Sequence, residues 1–359
     1  MNNRFLRNGG GAVALLALTV LAGFAPPADK QNLFTVHNLV SDGTIPADHT
    51  DPNLVNAWGL TASPTSPWWV ADNGTGVSTL YNGAGAQVSL VVTIPGGAPT
   101  GTVFNGGSSF VVSNGGTSGP ARFLFASENG TISGWNPAVP PPPPSHQAIV
   151  AVDSSPAGAV YKGLAIATTA AGSFLYAADF HNARVDVFNG TFAPVTTAGG
   201  FVDPNLPKGF APFGIQTLQG RIYVAYAKQD ADAHDEVAGE GLGAVDVYDT
   251  EGHLLARVAS GEPLNAPWGM AIAPAADFGR FSGNLLVGNF GDGRINAYDL
   301  ATFEPRGHLK TADHKPLAVD GLWGIGFGNG AGSGPTTTLY FAAGPDDESH
   351  GLFGAITLN

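Results

Sequence analysis

Asn265-Ala266-Pro267-Trp268-Gly269-Met270 sets a pattern that the chain repeats. Ala57-Trp58-Gly59-Leu60, Pro212-Phe213-Gly214-Ile215 and Leu322-Trp323-Gly324-Ile325 share its core: a small or apolar residue, an aromatic, Gly, an aliphatic. Tyr161-Lys162-Gly163-Leu164 is a fifth copy, with Lys162 in the aromatic slot. The glycines fall 51, 55 and 55 residues apart (163 to 214, 214 to 269, 269 to 324), and the 104 residues from Gly59 to Gly163 leave room for two repeats. A period of about 50 residues is the signature of a propeller or a solenoid.

Working outward, each copy opens a set of short strands punctuated by turns. In the first, strands are expected at 58–62, 68–72, 77–81 and 87–94, with Asn73-Gly74 and Asn82-Gly83 between them. Asn-Gly suits tight hairpins because both residues accept positive φ. The second repeat is irregular. Its first strand is expected at either 102–105 or 109–112, and a Pro140–Pro144 run, read as a stiff loop, precedes its fourth strand. The third and fifth align at an offset of 110: Leu175-Tyr176-Ala177-Ala178-Asp179 with Leu285-Leu286-Val287-Gly288-Asn289, and Arg184 with Arg294. The sixth has only three strands before the chain ends. An unrepeated strand at 34–39 is expected to supply its fourth and close the ring, which leaves no unpaired edge. The fold expected is all-β: a six-bladed β-propeller of four-stranded antiparallel blades, closed by an N-terminal strand.

Composition agrees with this reading. The 359 residues include 51 Gly and 27 Pro, yet 43% are hydrophobic, which suits many short strands rather than disorder. Net charge is −13 and no basic stripe is present, so nucleic acid is excluded as an expected partner. The absence of Cys rules out disulfides and thiolate metal sites. Arg4 and Arg7 precede an apolar run at 12–24 and then Ala25-Pro26-Pro27-Ala28. This pattern describes a secretory signal over 1–28, too short for a comfortable membrane span. The propeller is then expected over 29–359, as a secreted or periplasmic monomer without a transmembrane span after cleavage.

The repeats resemble NHL-type propellers. Asn56-Ala57-Trp58-Gly59-Leu60, the segment 71–76, the segment 227–236, Gly288-Asn289-Phe290-Gly291-Asp292-Gly293 and His350-Gly351-Leu352-Phe353-Gly354 resemble an uncharacterised family of secreted bacterial propeller proteins, some of which end in an exosortase-type tail. The resemblance implies a fold and a compartment, and no activity. No such tail ends this sequence.

In a propeller, loops entering first strands share a face with loops joining second to third strands. The second-strand ends then offer Asp72, Glu128, Asp179 and Asn289 as an oxygen ring suited to Ca²⁺, which takes 6–8 oxygens. Gluconolactonase-like propellers, similar at fold level only, are expected to hold a metal in such a ring. Equally, Asp or Asn at a strand end bonds its own turn. First-strand entries contribute Asn56, Lys162, Asn265 and Asp320 as ligand-binding candidates. Two loops depart from the repeat. One carries Lys228, Asp230, Asp232, His234, Asp235 and Glu236; the other carries Asp346, Asp347, Glu348 and His350. Asp230, Asp232 and Asp235 are further metal candidates, Lys228 a further ligand-binding candidate, and His234 or His350 beside a carboxylate could do acid/base work. Two functions are expected from this. One is a binding or scaffold protein for a protein, glycan or small molecule, working through the loop-rich face. The other is a metal-dependent, lactonase-like hydrolase at the channel mouth.

Overall fold

In the computed structural model of the chain, residues 1–2 and 32–359 are described. The expected signal segment lies outside them apart from Met1 and Asn2. Six antiparallel sheets follow one another along the chain. Their innermost strands are Ala57–Thr61, Pro99–Phe104, Tyr161–Thr169, Phe210–Leu218, Pro267–Ile272 and Leu322–Phe327. The sixth sheet takes its outer strand from Phe34–Ser41, which pairs antiparallel with Leu352–Leu358 from Phe34↔Leu358 to Ser41↔Leu352. The expected closure is therefore present, so the first and last parts of the described chain hold one another.

Blade two resolves differently from either expectation. Its inner strand is Pro99–Phe104, and the competing segment forms an inserted hairpin, Val111–Asn114 with Thr117–Pro120. Gly115 and Gly116 both have positive φ at its tip, as a two-residue turn of type I′ requires. Blade one's outer strand is shorter than read, only Val92–Thr93, with Gln87 reduced to an isolated bridge to Tyr81.

The repeat glycine has one physical task in all six blades. A Cβ on Gly59, Gly101, Gly163, Gly214, Gly269 or Gly324 would lie closer than 3.0 Å to backbone of the next blade's inner strand. The contacts run in order round the ring: Thr100, Leu164, Phe213, Trp268, Trp323 and back to Trp58. Gly101 is the copy missing from the sequence pattern.

The aromatics beside these glycines meet one another across the axis. Trp58 of blade one stacks on Trp323 of blade six (centroids 3.5 Å apart), and Trp268 of blade five stands edge-on to both, at 6.2 and 5.8 Å. Phe213 of blade four lies 5.6 Å from Trp323. All four are at most 6% exposed. They form a plug rather than wedges between neighbouring blades, because blades one and five are not neighbours. Such aromatic pairs add about 0.5–1.5 kcal/mol each beyond area burial.

The close approach predicts an outcome. Gly214→Ala forces its methyl onto the Trp268 carbonyl, which as backbone cannot swing aside. We expect a loss of about 1–3 kcal/mol or more in urea unfolding. Gly106→Ala, whose nearest neighbour is a Phe104 ring carbon at 3.4 Å, should be close to neutral.

Candidate functional site

Strand register decides which side chains reach the axis. Asp72 pairs with Ala57, Asp179 with Tyr161 and Asn289 with Pro267. The matching pair in blade two is Pro99 with Ser127, not Glu128. Glu128 lies one residue further on, and a shift of one residue turns a side chain to the opposite face. The expected quartet therefore does not converge. The residue after the strand end faces inward instead. Phe180 packs on Phe213 at 5.4 Å, Phe290 stacks on Trp323 at 4.1 Å, and Ala227 joins the same buried cluster. Gly344 backs onto the Asn56 amide. Asn73 and Glu128 complete this ring.

The other members of the quartet are committed elsewhere. The Asp179 carboxylate is fully buried, accepts from the Val160 and Asn182 amides and the Asn182 side chain, and lies 3.4 Å from the Arg184 guanidinium. It shapes its own turn. Asn289 donates to Pro263 and Asp292. Asp72 is fully buried on the blade-one face that looks toward blade six, near Thr79 and Asp51.

Where the plug lacks an aromatic, Lys162 takes its place. Its side chain is 2% exposed, its ammonium sits 5.1 Å from the Trp58 ring centroid, and the Trp268 indole donates to its carbonyl. A buried ammonium needs counter-charge. Lys162 Nζ donates to Glu128 Oε1 at 2.6 Å and Asp235 Oδ1 at 3.0 Å. Glu128 Oε2 accepts from Asn73 Nδ2 at 2.8 Å, Asn73 Oδ1 accepts from Asn56 Nδ2 at 3.3 Å, and Asn56 Oδ1 accepts from Trp323 Nε1 at 3.2 Å. His234 Nδ1 meets Asp235 Oδ1 at 2.9 Å. One polar chain thus joins residues of blades one, two, three, four and six across the mouth.

Its charges shift accordingly. Burial pushes Lys162 down, but Glu128, Glu236 and Asp235 together hold it above an ordinary lysine. Asp235 is raised by burial, yet Lys162 and His234 bring it below the usual carboxylate value. Two carboxyls of the departing loops, neither of them among the expected site residues, go the other way. Burial pushes Glu236 up to about 8, partly opposed by Lys162, and Glu348 up to about 7, with the Glu128 charge adding to burial. Both sit in the loops that depart from the repeat, which was the available signal.

The remaining candidates hold loops or stand free. Asn265 Oδ1 accepts from the Gly239 amide at 2.7 Å, and Asp320 accepts from the Asp346 amide at 2.9 Å. Asp230 accepts from the His234 amide and so closes the blade-four loop. Lys228 and Asp232 are exposed. His350 is apart from His234: its Nδ1 meets Asp42 Oδ2 at 2.6 Å.

One group has metal-ligand spacing. Glu128, His234 and Asp235 each offer an atom within 4.8 Å of the others. A dication fits poorly there, because the Lys162 ammonium already lies on two of the three ligands.

The six sheets closed round this plugged axis define a six-bladed β-propeller. It is similar in fold to virginiamycin B lyase from Staphylococcus aureus (TM-score 0.50, 13% identity, covering 91% of this chain and 100% of that one). It is similar also to the soluble aldose sugar dehydrogenase of Escherichia coli (TM-score 0.53, 11% identity, 91% and 100%). At these identities the likeness concerns the fold alone. No family model matches the chain. In sequence it is 33% identical over 337 residues to the uncharacterised protein L690 of Acanthamoeba polyphaga mimivirus, covering 89% of this chain and 85% of that protein. The uncharacterised protein R648 of the same virus is 31% identical over 346 residues, with 92% and 82% covered. The chain belongs to the family of these two proteins. These relatives are viral, whereas the sequence motifs had pointed to bacterial ones.

Two outcomes follow from the buried charges. Lys162→Met strands the largely buried Glu128, while the exposed Asp235 regains water, and should cost about 3–5 kcal/mol in urea unfolding, the usual penalty for breaking a buried pair. Adding Glu128→Gln should recover part of that loss. For Glu236, the folded value near 8 lies above its ordinary 4.5, so the folded state keeps a proton that the unfolded chain has released between those values. Its contribution therefore falls as pH rises through that window. Glu236→Gln should raise the thermal midpoint at pH 8 and change it little at pH 5.

Proposed function

We propose that this is a secreted binding protein whose working surface is the mouth face, built by the blade-four and blade-six loops. The observation that carries this reading is the state of the mouth. Lys162 is neutralised from within by Glu128 and Asp235, and the axis behind it is filled by Trp58, Phe213, Trp268 and Trp323. The reactive-looking groups are thus engaged with one another. What remains outward is mostly acidic: Asp232, Glu240, Asp320, Asp346 and Asp347 are exposed, against Lys208 and Lys228, while the exposed Arg184 and Arg294 at the same end are paired with acids of their own blades. A surface with one sign of charge steers an oppositely charged partner and discriminates against like-charged ones. The partner class favoured is accordingly a basic protein segment, bound by a monomeric disc.

Secretion is part of the proposal and rests on the Arg4, Arg7 and apolar 12–24 pattern. Among the described residues no helix is long and apolar enough to cross a membrane. A second reading, a lactonase-like hydrolase, has one observation in its favour: the grouping of Glu128, His234 and Asp235. The ammonium between two of those ligands weighs against it.

The test is binding of a lysine-rich peptide to the immobilised protein. Asp232→Asn, Asp346→Asn and Asp347→Asn together should weaken binding roughly tenfold, about 1.4 kcal/mol, and flatten its salt dependence. Asp277→Asn with Glu251→Gln, on loops of the opposite face, should leave it unchanged. Equal loss from both sets would mean the overall charge, not this face, drives association.

A further inference from the structure

Only blades one and three carry a carboxylate at the buried second-strand end, and they treat it differently. In blade three, Asp179 has a cation: Arg184 sits opposite it in register, and Asn182 adds two hydrogen bonds. In blade one the position opposite Asp72 is Val77. The residue matching Asn182 is Thr75, whose hydroxyl is turned away to the Asn53 carbonyl at 2.6 Å. Asp72 is 0% exposed, and neither of its oxygens makes a hydrogen bond of ordinary geometry, although the Thr79 hydroxyl and amide lie close enough to oppose in part the rise that burial gives its pKa. The Thr79 hydroxyl, on the same face of the neighbouring strand, is buried and makes no hydrogen bond of ordinary geometry either.

A second buried acid is near enough to act on this one through its charge. Asp51 is 2% exposed. Its oxygens accept from the Tyr81 hydroxyl at 2.8 Å, from the Asn53 amide and side chain at 3.0 Å each, and from Gln87. All of these donors are neutral. Tyr81 feels both acids: burial, then Asp72, then Asp51 raise its pKa. Among the described residues neither Asp51 nor Asp72 pairs with Lys, Arg or His. Two buried carboxylates that act on one another and lack counter-charge are unfavourable. The Asp72 oxygens, the Thr79 hydroxyl and Asp51 are all hard oxygen donors, the set that calcium takes.

We propose that Asp72, Thr79 and Asp51 form a buried calcium site at the seam between blades one and six. It is separate from the mouth group of Glu128, His234 and Asp235. Its position gives it a task. Asp51 directly follows His49–Thr50, a short strand paired parallel with the end of the closing strand, and its amide bonds the Ser41 carbonyl. Asp72 belongs to blade one, and the seam around them is packed by Leu54, Tyr81, Tyr340 and Phe353. A calcium ion here ties the closing strand's exit to the first blade and so fastens the ring.

The test uses chelator-stripped protein, calcium chloride alone, and metal analysis after dialysis. One retained calcium per chain and a thermal midpoint that rises with calcium are expected, since a ligand of the folded form stabilises it. Asp72→Asn, nearly isosteric, should weaken calcium binding on the order of 100-fold or more. Glu128→Gln with Asp235→Asn should leave binding intact. Loss of binding in that mouth variant would overturn the assignment, as would a parent that retains no calcium. If Asp72→Asn fails to fold, Asp51→Asn and the calcium titration of the parent decide. An Asp72→Asn protein more stable than the parent at pH 8, with no calcium response in either, would show a protonated acid instead.

Discussion

Backbone meets backbone where each inner strand of the ring passes the next, and that contact governs everything nearer the axis. Six glycines permit it. Because they remove the side chain at that point, the residue just before each one is brought close to five counterparts. What occupies those six slots is then a packing problem with little freedom, since interiors are filled to crystal-like density. Three Trp and one Phe fill most of the space. Thr100 takes the blade-two slot, with its hydroxyl donating to the Tyr161 carbonyl at 2.7 Å.

Lys162 is the exception that organises the polar half of the mouth. An ammonium in an aromatic hub gains from the Trp58 face, but cation–π attraction of about 2 kcal/mol when desolvated does not match the loss of hydration. The carboxylates are the remainder of the answer, and they come from different places in the chain. Glu128 is set by a tight strand connection in blade two. Asp235 is exposed and arrives on a loop, held there because Asp230 bonds the His234 amide and Glu236 starts a short pairing with Lys228 and Gln229. The blade-four loop is therefore shaped by a charge in blade three. Removing the repeat's aromatic in one blade obliges a neighbouring loop to fold over the hub.

How far the sequence speaks follows from the same physics. The glycine spacing and the aromatic beside it announced the ring, because a contact repeated in every blade leaves a periodic mark. The closing strand was legible because an unmatched strand at one end answered a blade lacking one. Gly101 was missed because blade two has Thr in the aromatic slot and an inserted hairpin ahead of its second strand. The site was less legible. Lys162 stood out as a charge in an aromatic slot, but Glu128 was aligned with Asp72, Asp179 and Asn289 when it lies one residue beyond them. In a strand that single step exchanges axis for blade interior. Glu236 and Glu348 were hidden among more exposed acids of the same loops. Burial, which distinguishes them, has no local sequence signature.

The contrast between Asp72 and Asp179 carries the argument a step further. A repeat protein that places the same residue at equivalent points also places the same electrostatic demand there. Blade three answers that demand within its own hairpin, with Arg184 opposite the carboxylate. Blade one puts Val77 in that place, on a face that packs against Tyr81 and the blade-six aromatics, so no cation of its own hairpin reaches the carboxylate. An acid kept at such a point without an internal cation either holds a proton or takes a cation from solution. These alternatives act in opposite directions on the ring. A proton satisfies one oxygen and adds nothing across the seam, whereas an ion bound to Asp72 and Asp51 links two blades that the chain joins only through its closing strand. A closed ring is as stable as its weakest seam. The seam made by chain ends is where an added tie would have the largest effect.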